Sequence, residues 1–582
     1  MKKSKEGYLY AKDIDYKFPF DENPLNEYPR PQLRRDSYLS LNGLWDFMLT
    51  KEDEKPFSYE DRILVPYAVE SHLSGVEKLV KADDIMFYHK KVILPDEFLN
   101  GILLINFDGI DQICEIYIDD VLVTYSLNPY KRIVVKLEEY TKEFDITIKV
   151  KDFTDKSYYQ RGKQSTKTNG YFYTSSSGIY KSVWIEKVPK AYIESIVINP
   201  SYDNKTVSFF IKSNNYGEAI VKIDEKDYKI KVNEECKIKF ENIHPYSNSD
   251  PFLYDVKINY LDDEVHSYFG IRKVDIRSDD DRFKHIYIND KKTFLSGVLY
   301  QGYYYLGNLT PLKNDDIYQD LKRIKDLGFN AVRVHIKIES DLFYYYADRL
   351  GLYVIQDFPS GGESYSFLPT VLPRLFPVLS NDKVCLFFKK GLGRKDKRGE
   401  IEFEKEMFEY VNSLYNHPSI LIYTIFNEGW GEFDSRRLYY KLKETYPDIL
   451  FDTASGWYDS DSDFYSVHTY TIPSKKRKDK KNRCFIISEM GGIGYKDDLH
   501  SLFPGYFAHK KCKSVTALEN KIKKLYQKEL YPLKKIGLAI IIYTQFNDVE
   551  SEYNGLYTFD REVLKVSDKL LIDLNKLMIE DN

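Results

Sequence analysis

The stretch Asn416-His-Pro-Ser-Ile-Leu-Ile-Tyr-Thr-Ile-Phe-Asn-Glu428 runs strand-favouring residues, Ile420 to Phe426, straight into an Asn-Glu pair. Such a run offers no polar face to solvent, so it reads as a strand covered on both sides. Helical periodicity flanks it, over 401–415 before and 435–446 after. Moving outward, the alternation repeats. Strand-like runs lie at 294–299, 331–336, 353–358, 450–453, 464–467, 485–488 and 538–543. Further helical patterns lie at 315–327, 341–350, 517–536 and 568–578. In the first of these, Ile317, Leu321, Ile324 and Leu327 recur three to four residues apart, the spacing of one helix face. Eight strands, mostly separated by helices, predict a parallel (β/α)8 TIM barrel over 277–582.

Upstream the period shortens. Residues 1–190 carry short alternating runs at 102–107, 114–118, 121–125, 146–150 and 183–188, with turn signals at Phe107-Asp-Gly109 and Asp119-Asp120. They predict a jelly-roll β-sandwich. Residues 191–276, with runs at 193–198, 207–211, 219–223, 236–240 and 254–260, predict an immunoglobulin-like β-sandwich. The expected fold is multidomain, in that order.

The chain has 582 residues, a net charge of −5 and five cysteines with no close spacing. That charge gives no global attraction to nucleic acid or anionic membrane. The cysteine pattern argues against a disulfide framework or zinc site and for a reducing compartment. The basic start, MKKSKEGYLYAKDIDYKF, is followed by no apolar segment, and no run is long and apolar enough to span a bilayer. A cytoplasmic protein is expected. Residues 474–483 hold seven basic side chains in ten. Without aromatic interleaving they read as a solvated loop. The 52 tyrosines follow a general Lys, Ile, Asn and Tyr bias and carry no functional weight.

In a (β/α)8 barrel, reactive side chains sit at the C-terminal strand ends. The fourth strand ends in Asn427-Glu428 and the seventh in Glu489. Other polar strand ends are His335, Asp357, His468 with Tyr470, and 545–548. Two carboxylates at one barrel mouth meet the minimum for glycoside hydrolysis: one protonates the leaving oxygen, the other attacks or activates water. A single Glu after an apolar run is more often a cap, so the pair carries the argument. Trp457 and Tyr543 are candidates to stack on a pyranose, with buried aromatic anchors as the alternative.

The stretch 416–428 is similar to the signature of glycoside hydrolase family 2, with Tyr423 where a Trp is usual. The resemblance covers nearly the whole chain. Leu41-Asn-Gly-Leu-Trp45, Val65-Pro66 and Ser177-Gly-Ile-Tyr-Lys-Ser-Val-Trp-Ile-Glu186 resemble the family's jelly roll. Gly270-Ile-Arg272 resembles the exit from its immunoglobulin-like domain. Gly328-Phe-Asn-Ala-Val-Arg-Val-His335, Asp548-Val-Glu550 and Asn554-Gly-Leu-Tyr-Thr-Phe-Asp-Arg561 resemble barrel segments. The resemblance implies that Glu428 is the acid/base, that Glu489 in Ser488-Glu-Met-Gly-Gly492 is the nucleophile, and that configuration is retained. It implies that Asn427 contacts the sugar 2-hydroxyl and that His335, Asp357, His468 and Tyr470 line the sugar subsite. No cofactor and no metal are expected. Relatives often assemble through their β-domains, so a homo-oligomer is the expected state.

For the sugar, family β-glucuronidases carry an Asn-x-Lys element before the Gly matching Gly555. Here Glu550-Ser-Glu-Tyr-Asn-Gly555 has no Lys and two acids, which lowers the rank of glucuronides. His335-Ile-Lys337 and Gln356-Asp-Phe-Pro-Ser-Gly-Gly362 also depart from family patterns. The expected activity is exo-acting β-galactosidase-type hydrolysis. β-Glucosidase, β-mannosidase and β-glucuronidase are the alternatives within the family. A non-catalytic carbohydrate-binding protein on the same scaffold is the alternative outside it.

Overall fold

The run from Ile420 forms a strand, Ile420–Asn427, buried at every residue. In this computed structural model the described residues are 23–580, apart from 169, 279–281, 376–379, 471–478, 480, 502 and 504. The basic N-terminal segment and most of 474–483 therefore lie outside the described residues.

Eight parallel strands form one sheet: Leu295–Tyr300, Ala331–Val334, Tyr353–Asp357, Ile420–Asn427, Leu450–Ser455, Phe464–Thr469, Cys484–Gly491 and Leu538–Thr544. They pair in the order fifth, fourth, third, second, first, eighth, seventh, sixth. The fifth and sixth strands end this order and meet through Ser455 Oγ and His468 Nε2, 3.0 Å apart. The result is a nearly closed barrel, as the alternation predicts. Helices Asn314–Asp326, Asp341–Leu350, Lys397–Leu414, Ser435–Thr445, Val515–Lys524 and Asp568–Ile579 lie at or near the predicted patterns. Val298, Val332, Val354, Ile425, Ile487 and Ile541 share one core with Leu321, Ile324, Met407, Leu438 and Leu571 from the helices. Each such aliphatic side chain contributes roughly 1.5–3 kcal/mol by leaving water.

The N-terminal end of the barrel is plugged. Val274–Ser278, Lys284–Ile288 and Lys291–Thr293 form a three-stranded antiparallel sheet. Ile286 and Ile288 from it pack with Leu295, Leu299, Ile355, Ile486 and Ile540. The first of these strands crosses the boundary expected at 276.

Before the barrel, a four-stranded and a six-stranded antiparallel sheet enclose a core containing Trp45, Phe47, Ile105, Ile146 and Ile185. Trp45 and Trp184 are buried structural residues. The Asp119-Asp120 turn joins Ile113–Ile118 to Val121–Ser126 with φ of 46° and 65°, the left-handed pair of a tight hairpin. Next, three- and four-stranded antiparallel sheets enclose Ile198, Val207, Phe209, Val221 and Ile258. Tyr254–Tyr260 there alternates buried and less buried residues, as a half-covered strand must.

Two quoted motifs fasten these layers to the fourth barrel strand. Asn416 bonds the Ile198 amide and the Ile196 carbonyl of the second β-region. Arg272 donates to the Pro418 and Ile420 carbonyls at the strand's start. His417 and the Ser419 amide are held by buried Asp348. The strand is thus pinned at the end opposite Glu428. All five cysteines are free thiols. Among the described residues no helix is long and apolar enough to cross a membrane.

Candidate active site

Glu428 and Glu489 face each other across the barrel mouth. One oxygen of each carboxylate and one nitrogen of His468 lie within 4.8 Å of one another. Glu489 is 4% exposed, and Glu428 is more open. Glu428 follows the fourth strand at φ 51°, a left-handed conformation that a non-glycine residue adopts only when its surroundings enforce it.

The centre of the arrangement is an arginine inside the second strand, which the strand-end rule does not single out. Arg333 is fully buried in the second strand. Its guanidinium bonds both Asp357 oxygens at 2.9 and 3.0 Å, Glu489 Oε1 at 3.1 Å and Asn427 Oδ1 at 2.9 Å. A charge inside an apolar strand, Ala331-Val-Arg-Val334, was the available signal, because buried charges are paired. Burial raises the Glu489 carboxyl, but His468, His335, Arg333 and the Tyr470 hydroxyl outweigh it and bring it down to about 2. Arg333 is the permanent cation among these, so Glu489 stays ionised at neutral pH.

His335 Nδ1 is 2.9 Å from Asp357 Oδ2. Burial, then the Lys163 ammonium, push its imidazole down to about 4. Burial raises the Asp357 carboxyl, and Arg333 and His335 more than offset this, leaving it below its ordinary range. Tyr470 donates to Glu489 Oε2 and stacks on His509 with ring centroids 3.8 Å apart. His468 Nδ1 is 2.8 Å from Glu428 Oε1. Its Nε2 meets Ser455, which continues through Ser488 at 2.8 Å to Ser466 at 2.6 Å. Beside Ser466 lies buried Asp452, whose carboxyl burial pushes up to about 6.

Asn427 Nδ2 is buried and has no hydrogen-bond partner among the described residues. Its Oδ1 is occupied by Arg333, so a free donor is left in a fixed orientation. Glu428, His468 and Glu489 have the spacing of a cation site, but both imidazole nitrogens of His468 are already engaged.

The two aromatic candidates are held by packing beside the strands that carry the cluster. Tyr543 is 1% exposed in the barrel core, where a Cβ on Gly491 would meet its ring at 2.7 Å. Trp457 packs partly buried against Cys385, Leu392 and Tyr458. The ring near Glu428 is Trp430, which lies parallel to Tyr171 and Tyr365. Tyr171 belongs to a segment from the first β-region that reaches the mouth. Arg161 and Gly162 donate to the Ser360 carbonyl, and Thr174 N donates to Glu550.

Comparison with known proteins identifies a family. The β-galactosidase large subunit of Lactobacillus helveticus is 22% identical over 465 residues, covering 74% of this chain and 69% of that protein. A Formosa agariphila protein is 24% identical over 367 residues, and that match covers 59% of this chain and 39% of the relative's own length. The solved β-glucuronidase of an uncultured Clostridium sp. shares the fold, with a TM-score of 0.71 at 16% identity over 94% of this chain and 99% of that one. Residues 280–561 match the family described as "Glycosyl hydrolases family 2, TIM barrel domain". The barrel of this chain belongs to glycoside hydrolase family 2.

Proposed function

We propose that the protein is a retaining, exo-acting β-glycosidase in which Glu489 is the nucleophile and Glu428 the acid/base. The carrying observation is the approach of their carboxylate oxygens to within 4.8 Å. Retention needs carboxyl groups about 5–5.5 Å apart, and inversion needs a wider gap that admits water. Ionised Glu489 attacks the anomeric carbon as Glu428 passes its proton to the departing glycosidic oxygen. A glycosyl ester on Glu489 results. Glu428, now a carboxylate, takes a proton from water as that water attacks the same carbon, and Glu489 leaves ionised. The free Asn427 amide donates to the sugar 2-hydroxyl, a bond that tightens as positive charge develops on the ring.

The segment carrying Tyr171 closes one side of the mouth, which favours removal of terminal sugars. In the same reading the two antiparallel layers are jelly-roll and immunoglobulin-like domains, with junctions near 190 and 276. The galactoside expectation rests on labels carried by similar sequences, and the pocket's charge is a better guide to the sugar.

The test is hydrolysis of a panel of aryl β-glycosides, with the first-formed anomer followed by NMR. Release of the β-anomer supports the proposal. First release of the α-anomer overturns the mechanism, and hydrolysis of no member favours a carbohydrate-binding protein.

A further inference from the structure

We propose that Lys163, delivered from the first β-region, is a specificity residue that binds an anionic group on the sugar, so that the preferred glycone is acidic. This deepens the glycosidase reading and rests on it.

Lys163 is 7% exposed. Among the described residues its ammonium has neither a hydrogen-bond nor an ion-pair partner. Other buried lysines differ: Lys337 pairs with Glu339 at 2.5 Å and Lys565 with Asp548 at 2.6 Å. Its stem is buried while the ammonium keeps access to solvent, so an incoming anion can pair with it in partly desolvated surroundings. The ammonium lies 5.2 Å from the Tyr173 ring centroid and 5.6 Å from that of Trp430, two residues beyond Glu428. Its charge is felt by His335 and by Glu552. It therefore sits at the wall of the pocket that holds the two carboxylates.

The segment is built to hold it there. Arg161 donates to the Gly362 carbonyl, and the Lys163 carbonyl accepts from Tyr173 N at 2.9 Å. Gly162, at φ 60°, lets the backbone press against the second strand. A Cβ there would meet the Ile336 carbonyl at 2.9 Å.

The acids after the eighth strand were expected to repel a carboxylate. Both are committed elsewhere. Glu550 accepts from Thr174 N at 2.7 Å, and Glu552 accepts from the Tyr173 hydroxyl and from Asn554. Burial raises both carboxyls, Glu550 to about 7, so Glu550 is only partly ionised at neutral pH. The cation missing from 550–555 is supplied by the segment packed against it, 387 positions before Glu550 (550 − 163).

The probes are matched 4-nitrophenyl β-glycosides: galactoside with galacturonide, glucoside with glucuronide, and the 6-sulfates of both neutral sugars. In at least one set an acidic member should exceed its neutral partner by about 10- to 100-fold in kcat/KM, the scale of one charge-assisted hydrogen bond. The carboxylate and sulfate arms separate the two sources of charge. Lys163→Met should collapse that ratio to within about threefold, and Lys163→Arg should keep part of it. Neutral members equal to or better than acidic ones in every set overturn the inference, as does an unchanged ratio in Lys163→Met. If that variant does not fold, the wild-type ratio decides, together with competitive inhibition by free uronate against the parent sugar. Hydrolysis with neutral preference leaves the glycosidase reading intact. No hydrolysis on any arm sinks both.

Discussion

The Nδ1 atom of His468 lies 2.8 Å from Oε1 of Glu428. The other nitrogen of the ring, Nε2, is 3.7 Å from Glu489 Oε1. One imidazole thus borders both proposed catalytic carboxylates.

The two carboxylates should separate by the product they form with azide. Glu489→Ala leaves the α-face open, so azide should restore turnover as an α-glycosyl azide. Glu428→Ala should lose about 10²- to 10⁴-fold in kcat on poor leaving groups and far less on dinitrophenyl glycosides, which need no proton. There azide should give the β-azide. The same azide anomer from both variants would falsify the assignment of roles.

Asn427→Ala removes the unpartnered donor. It should lower kcat/KM by about 10²-fold or more on ordinary glycosides, as removal of a transition-state donor does. On a 2-deoxy glycoside the loss should nearly vanish, since the acceptor is already gone. Equal losses on both substrates would assign Asn427 a structural role through Arg333.

Asp452 is buried in the fifth strand with its carboxyl near 6, and Arg333 and His468 both act on it through space. Its ionisation between about pH 5 and 7 should reach the site electrostatically, through Arg333 and His468. Asp452→Asn should therefore change the shape of the kcat/KM pH profile in that window and leave the melting temperature at pH 5 close to wild type. Superimposable profiles would disconnect Asp452 from catalysis.

Glu406, on the helix Lys397–Leu414, is buried, and that burial pushes its carboxyl up to about 8. Its folded value exceeds its unfolded one, so the native state holds the extra proton. The stabilisation is complete below the unfolded value near 4.5 and is lost as pH rises through about 8. Glu406→Gln should match wild type near pH 5 and melt a few degrees higher at pH 9, about 1–3 kcal/mol in stability. A variant that loses stability equally at both pH values would show that the carboxyl matters for packing and not for charge.

Much of the barrel was legible because strand burial is written locally. A run such as Ile420 to Phe426 has the same meaning wherever it packs, and the residue that ends it lies at the rim. Glu428, Glu489, Asn427, His335, Asp357, His468 and Tyr470 were found this way or by family resemblance, and the structure brings them to one mouth. Tyr543 and Trp457 were read from residue type alone. An aromatic ring satisfies the core as well as it satisfies a sugar, and the structure places Tyr543 in the barrel core and Trp457, partly buried, against Cys385, Leu392 and Tyr458.

By itself, the sequence determined the α/β alternation, the strand ends and the two acids placed there, since these follow from periodicity within single segments. Tertiary structure alone decided how far apart those acids stand and which cations hold Glu489 ionised. It also decided that Lys163, on a loop of another layer, reaches the mouth while Glu550 and Glu552 are drawn into holding that loop. Charge acts through space with a range of several ångströms, and no pattern along the chain records which distant segment will fill that space.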